Sequence, residues 1–411
     1  VPASMTWFTG VYPSEHRMTN KFAEYDARQQ RIARLDEVSP RLVTLAEQFR
    51  RAGYATGGFT GNAGVSGGFG FDIGFETFVF EANRFGGFDD SAPHALEWLR
   101  QIGERRYFLF LHGYDCHGQS EPGSKREWRF VEADYDGRYR GRPHEQETLR
   151  EEGLDRGVLR LRAEDWRFWR AIYDEKIVRA DARVARFLEE AERLGALENT
   201  LVVITSDHGT EFGEHGRIDH GFALYDEHIQ VPLVIRLPKQ SVGCAIAESI
   251  GSIDLAPTVL DLAGLLSEND RGGMTSQLRG RSLVPTMNGE PPHRDVISET
   301  DYRLYTHKRS LVTPDGWKLI YTLESKSREL FDLNADPRER RNLSAAESHR
   351  ADELERRLFT HFEAIGCDLR AQSWETGFNP VYNFRPPAPG SQEIMGSGGA
   401  SSSPGPSRSR R

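Results

Sequence analysis

The stretch Leu201-Val202-Val203-Ile204-Thr205-Ser206-Asp207-His208-Gly209 decides the fold. Leu201 to Ile204 are all β-formers, and they follow a turn at Glu198-Asn199-Thr200. A run of this kind, coming after a helical stretch, predicts a buried parallel strand that stops where the polar residues begin. In open α/β sheets, ligands sit outside the carboxyl ends of the strands. Asp207 and His208, loosened by Gly209, can there turn an oxygen and a nitrogen onto one divalent cation. Glu211-Phe212-Gly213-Glu214-His215-Gly216 follows at once. Asp219-His220-Gly221 adds a further imidazole close by.

Working outward toward the N-terminus, Trp166, Trp169, Tyr173, Ile177, Ala180, Val184 and Phe187 recur at helical spacing, and Gly195 ends that helix. Residues 119–162 are polar, rich in Arg, Glu and Gly, and without period. They are expected to be irregular, either an excursion over the site mouth or a solvated surface loop. Tyr107 to Leu111 predicts a second buried strand, running into His112-Gly113-Tyr114-Asp115-Cys116-His117-Gly118. Two histidines and an aspartate after a buried strand mark a candidate site. Pro93 to Ile102 reads as a short amphipathic helix, and Tyr54 to Thr60 as another strand with a Gly-rich loop, Gly61-Asn62 onward, at its carboxyl edge. Ser39-Pro40 is expected to open a helix with Leu42, Leu45, Ala46 and Phe49 on its apolar face and Gly53 as its stop. Pro2 to Phe8 predicts a helix whose N-terminus suits a sulfate or phosphate oxygen.

Working outward toward the C-terminus, Ser252 to Gly264 predicts a helix. Leu311 to Thr313 and Trp317 to Tyr321, joined by Pro314-Asp315-Gly316, make a hairpin signal, and Leu330 to Leu333 adds a strand. Leu354, Leu358, Phe359 and Phe362 mark a closing helix. Residues 388–411 are Gly, Ser, Pro and Arg and are expected to be disordered. The division expected is an α/β domain over 1–290, a smaller α+β unit over 291–370 and a tail over 388–411.

A chain of 411 residues, 37% hydrophobic and 28% charged, has length for one large α/β domain and a smaller one. A net charge of −9 argues against nucleic acid as a general partner. No run of about eighteen apolar residues exists, so no membrane span is expected. Cys116, Cys244 and Cys367 are widely spaced and form neither a zinc pattern nor a disulfide framework. The compartment is left open by these numbers.

Several segments, in order, resemble the sulfatase branch of the alkaline phosphatase superfamily. Val1 to Pro13, with Thr9-Gly10-Val11-Tyr12-Pro13, resembles the family's nucleophile helix and the motif after it. Asp207-His208-Gly209 resembles its second metal motif, and Tyr225-Asp226-Glu227 to Arg236 its next strand. Glu329 to Leu333, with Asp336-Pro337 and Asn342-Leu343, resembles its C-terminal signature. The resemblance implies an alkaline-phosphatase-like three-layer sandwich with a mostly parallel central sheet, plus a small antiparallel sheet with a helix. It implies a metal-dependent hydrolase of sulfate esters acting through a covalent intermediate. Asp207 and His208 would be metal ligands; the metal is expected to be Ca²⁺, with Mg²⁺ or Mn²⁺ as alternatives. His117 would serve the leaving group, His220 would contact the anion, and Asn62, Asp115 and His215 would line the substrate. The substrate would be a small-molecule or glycan sulfate or phosphate ester.

The chain also departs from the family pattern. Ser4 stands where formylglycine sulfatases carry Arg, Asn62 where many carry Lys, and Cys116 where Pro is usual. A phosphate or phosphonate ester hydrolase of the same superfamily is therefore the alternative, and a non-catalytic binder of anionic glycans a further one. The matched nucleophile position falls just before Val1. The expectation is that a strand ending in paired Asp residues, and a Thr, Ser or Cys nucleophile, precede Val1, and that these 411 residues alone do not turn over substrate.

Overall fold

Alternating β-rich runs and helical periods lay out a sheet flanked by helices. From the N-terminus come α1 (Pro2–Thr9), α2 (Pro13–His16), the antiparallel pair β1 (Phe22–Asp26) and β2 (Arg31–Leu35), α3 (Leu45–Arg51) and β3 (Ala55–Thr60). Next are β4 (Thr77–Phe80), α4 (Phe88–Ile102), β5 (Tyr107–Leu111), α5 (Pro143–Arg156) and the long α6 (Ala163–Arg193). β6 (Val202–Thr205) leads to the short pair β7 (Glu211–Phe212) and β8 (Ile218–Asp219), then α7 (Asp226–Ile229), β9 (Leu233–Arg236), α8 (Leu255–Leu262) and α9 (Val284–Met287). β10 (Val296–Tyr302), β11 (Thr306–Val312), β12 (Trp317–Thr322), β13 (Ser327–Asp332) and α10 (Ser348–Ala364) come last. This computed structural model describes residues 1–18, 22–26, 31–35, 38–61, 64–80, 85–267, 272–292, 294–302, 305–372 and 374. Asn62 and the tail over 388–411 lie outside the described residues.

β3 pairs in parallel with β4 on one side and β5 on the other, as expected. Its two glycines let rings lie directly on the strand. A Cβ on Gly57 would stand 2.8 Å from the Trp98 ring, and one on Gly58 2.5 Å from Phe78. β6 corrects the expectation of a buried parallel strand. It pairs antiparallel with β9, from Val202 opposite Arg236 to Thr205 opposite Leu233. Ile204 is 37% exposed and Val234 53%. A run of β-formers favours extended backbone but leaves partner and direction to tertiary packing. Among the described residues, β5 and β6 each have a single ladder neighbour.

Two helices begin elsewhere than the sequence suggested, and a third forms where none was expected. α3 starts after Thr44, not Ser39, because Thr44-Leu45-Ala46-Glu47 is a capping box. Thr44 Oγ1 accepts from Glu47 N at 3.1 Å, and Glu47 returns the favour to Thr44 N at 2.9 Å. α4 starts at Phe88, with Pro93 inside it, because carboxylates occupy its free N–H groups: Asp115 accepts from Phe88 N and Asp90 from Gly87 N. α5 lies in the segment expected to be irregular. Its first turn carries Pro143 and a Glu145 cap, and it buries Gln146, Leu149, Arg150 and Leu154. With half of that face polar, hydrophobic period alone misses it.

α1 buries Met5 and Phe8 against Val38, Phe69, Phe71 and Phe75, and Phe8 meets Phe110 of β5 edge-on at 4.8 Å. This fixes the N-terminus of α1 at the same end of the sheet as Asp207. β10 to β13 form an antiparallel sheet in chain order. On one face Leu311, Leu319 and Leu330 pack on Leu354, Leu358 and Phe362 of α10. Each such side chain, once buried, contributes about 1.5–3 kcal/mol. On the other face Ile320 and Phe331 pack on Leu224. Lys318, fully buried, ties this sheet to α7 through Asp226 at 2.7 Å and to the segment after β13 through Glu339 at 2.7 Å.

Candidate active site

β6 ends at Thr205 and the chain turns at once. Gly209 N donates to the His228 carbonyl at 2.8 Å. A Cβ at position 209 would stand 2.3 Å from the Glu227 carbonyl oxygen, so the turn has room only for glycine. Asp207 Oδ2 accepts from Ser4 Oγ at 3.0 Å and lies 3.8 Å from Val1 N. Its Oδ1 is 3.6 Å from His208 Nε2. His208 Nδ1 is 2.9 Å from the Gly209 carbonyl, which can only accept. Nδ1 therefore carries a proton, which leaves Nε2 as the ring nitrogen that faces Asp207. Burial pushes the Asp207 carboxyl up, but His208, His112 and the Ser4 hydroxyl oppose it and hold it well below the ordinary carboxylate range.

The second strand end supplies His112 and His117. His112 N continues the ladder by donating to Phe59 O at 2.9 Å, and burial pushes its ring down to about 4 although Asp207 opposes. The loop then folds back: His117 N donates to Tyr114 O at 2.9 Å, and the Tyr114 hydroxyl accepts from Gly64 N at 3.0 Å. Lys176 of α6, 2% exposed, donates to the carbonyls of His117 at 3.0 Å and Gly118 at 3.3 Å. Burial brings Lys176 down to about 8, with Asp219 pulling the other way.

The third approach comes from β8. Asp219 sits at φ 85°, a left-handed conformation that costs a non-glycine residue about 1–3 kcal/mol. Its carboxylate closes on His220 Nδ1, accepts from His220 N at 3.0 Å and lies 3.7 Å from Arg150. Burial pushes His220 down to about 3, His208 adding to this and Asp219 opposing, so the ring is neutral at pH 7. The three approaches meet: one ring nitrogen each of His117, His208 and His220 all lie within 4.8 Å of one another. The His208 and His220 rings stack at 3.8 Å, and His117 stands 5.0 Å from His220.

Thus four of the expected residues, Asp207, His208, His117 and His220, come together. Asp115 is placed differently: buried, it accepts from Phe88 N at 2.8 Å and pairs with Arg183 at 2.7 Å, fastening α4 to α6. His215 also stands apart from the three histidines. It stacks on Tyr225 at 3.6 Å, lies 3.5 Å from Glu227, and lines a separate cavity. Ser4, 1% exposed, supports the Asp207 carboxylate from within α1. Sequence reasoning passed over Lys176. The signal was there: a lysine at i+4 from buried Ile172, on the face that also buries Trp169, has to be serving something polar.

Strand-end imidazoles beside a carboxylate, on an α/β sandwich with a small antiparallel sheet and helix, define an alkaline-phosphatase-like fold. Residues 1–265 match the family described as Sulfatase, and residues 213–365 match N-sulphoglucosamine sulphohydrolase, C-terminal. The chain belongs to the sulfatase family. Among curated relatives it is similar to N-acetylglucosamine-6-O-sulfatase of Bacteroides thetaiotaomicron, at 31% identity over 43% of this chain and 33% of that protein. It is similar also to choline-sulfatase of Rhizobium meliloti, at 30% identity over 57% of this chain and 42% of that protein. The chain thus spans a third to about two fifths of the length of these relatives. Among solved structures, a 2-O GAG sulfatase superposes with a TM-score of 0.69 at 19% identity, covering 92% of this chain and 85% of its own. The phosphonate monoester hydrolase of Agrobacterium radiobacter does so with 0.63 at 19% identity, covering 90% and 86%.

Proposed function

We propose that this protein hydrolyses sulfate esters, cleaving the ester to an alcohol and inorganic sulfate. The observation that carries the proposal is the convergence of His117, His208 and His220 beside Asp207 in a chain of the sulfatase family. In this reading His220 holds the anion, its orientation set by Asp219. His117 serves the oxygen of the departing alcohol, on a loop held by Lys176.

Asp207 and His208 fit a divalent cation. The carboxylate is held ionised, and Nε2 is the ring nitrogen that faces it, Nδ1 being bound to the Gly209 carbonyl. A carbonyl-anchored imidazole of this kind is the usual arrangement of a ligating histidine. Bound there, a cation would polarise the ester oxygens. Ca²⁺ is the expectation from the family resemblance; the imidazole in this donor set suits Mn²⁺ as well. A covalent intermediate belongs to the same proposal. Ser4 does not supply its nucleophile in this reading, being enclosed and already donating to Asp207.

The test is a parallel assay of the native protein on 4-nitrophenyl sulfate and 4-nitrophenyl phosphate, with Ca²⁺ or Mn²⁺ added after chelation. Sulfate turnover above phosphate turnover is expected, with Asp207→Ala losing metal content and turnover together. Faster turnover of the phosphate would favour the phosphate or phosphonate ester alternative. An Asp207→Ala protein that keeps both metal and rate would remove the metal assignment.

A further inference from the structure

α5 lies in a polar stretch that carries no motif, yet it reaches the back of the histidine cluster. Apolar contacts seat it. Leu149 packs in one cluster with Trp169 and Ile172 of α6 and Ile218 of β8, and Leu154 packs with Phe222 and Ala223. Between these two anchors Arg150 is turned inward and is 4% exposed. An arginine is buried to this degree only where charges answer it. Nε and Nη2 meet Glu151 at 2.9 Å and 2.8 Å, and Nη2 lies 3.3 Å from Glu147. Both of these carboxylates belong to α5 itself and are partly exposed. Nη1 instead lies 3.7 Å from Oδ2 of the buried Asp219, on β8. Burial works against the Arg150 charge, and Tyr302, Asp219, Glu151 and Glu147, in that order, support it.

The two oxygens of Asp219 have separate partners. Oδ1 closes on His220 Nδ1 and accepts from His220 N, while Oδ2 faces Arg150. Among the described residues Arg150 is the one Lys or Arg within 4.0 Å of this carboxylate. Lys176 acts on it from further off, its ammonium donating to the carbonyls of His117 and Gly118. The left-handed backbone of Asp219 persists only where its surroundings over-determine it. Those surroundings are tight: a Cβ on Gly118 would stand 2.9 Å from Gln146 Nε2 and 3.0 Å from Asp219 Oδ2. Gln146 and Arg150, both from α5, thus back the carboxylate that engages Nδ1 of His220. Nε2 is the nitrogen of that ring left for substrate.

We infer that Arg150 is a positioning residue for His220: it holds Asp219 from behind, and Asp219 holds the ring. The inference rests on the reading of His220 as the contact to the ester anion. It makes α5 part of the support of the site, although no α5 side chain belongs to the histidine cluster.

The experiment joins kinetics to histidine-ring NMR on the full chain. Arg150→Met keeps the buried stem and removes the guanidinium. Its kcat/KM on 4-nitrophenyl sulfate should fall about tenfold, and the His220 Nδ1–H signal should be lost to solvent exchange. Arg150→Lys keeps the charge and should recover most of both. Glu147→Gln removes an outer partner alone and should match the parent in rate and signal. Asp219→Asn should lose at least as much as Arg150→Met, and combining the two should cost no further rate, because they act in series. If the Met variant melts early, Arg150→Gln serves in its place. A parent-like rate or signal in Arg150→Met, additive losses in the double variant, or an equal loss in Glu147→Gln would each overturn the inference. Absence of sulfate turnover in the parent would remove the sulfatase reading by itself, and the Nδ1–H signal would still decide the place of Arg150.

Discussion

At the scale of single residues, the site imidazoles are set by their neighbours: burial lowers His220 to about 3, and the Asp219 carboxylate fixes its Nδ1 side. Lys176 is the example with the longest reach. It crosses from α6 to the carbonyls of His117 and Gly118, and burial lowers it to about 8. Lys176→Met keeps the buried stem and removes the ammonium. Turnover should fall by about tenfold, in the 10–100-fold range seen when a supporting shell is lost. A parent-like rate with a lowered melting temperature would mean that Lys176 serves the fold alone. The residues readable from sequence were those at strand ends, Asp207, His208 and His117, and the loop residue His220. A polar residue directly after an apolar strand has few places to go. Asp115 was equally visible, yet it turns away to cap Phe88 and pair with Arg183. That choice depends on α4 and α6 arriving beside it, and local sequence carries no such information.

At the scale of elements, caps and partners decide what hydrophobic period does not. α3 begins where Thr44 and Glu47 exchange hydrogen bonds, so Thr44→Ala should cost about 1 kcal/mol. Chemical denaturation at unchanged slope measures it, and no shift in midpoint would show the cap to be idle. α6, with its long run of spaced aromatics, was legible almost to its ends. The hairpin of β11 and β12 was equally so, because Pro314-Asp315-Gly316 leaves little choice of turn. β6 was legible as a strand but not in direction. Its antiparallel partner β9 lies beyond the whole loop that carries the candidate metal ligands.

At the scale of the molecule, buried neutral histidines set the response to acid. His16 of α2 is fully buried, accepts from Met18 N at 3.1 Å through Nδ1, and meets Thr6 Oγ1 at 3.2 Å. Burial pushes it down to about 3 from the usual 6.5. Between those values the unfolded chain binds the proton and the folded chain does not. Stability is therefore full above pH 6.5 and falls as pH drops toward 3, by about 1.4 kcal/mol per pH unit for one such group. Melting temperature followed from pH 7 to pH 4 should decline, and His16→Gln should flatten part of that decline. An identical slope in the variant would assign the acid limb to other groups.

The seat of Gly209 has a consequence for how this sequence can drift. A single methyl there would drive into the Glu227 carbonyl oxygen, a backbone atom that no side-chain exchange elsewhere can withdraw. In a saturation library scored for folded protein, position 209 should be depleted of every alternative, alanine included, at a cost of about 1–3 kcal/mol or more. Neighbouring His208, bound to backbone only through one ring nitrogen, should tolerate replacement in the same screen while failing one scored for activity. Two adjacent codons would then be constrained for unrelated reasons, one by space and one by chemistry. A pair of screens read side by side would separate them.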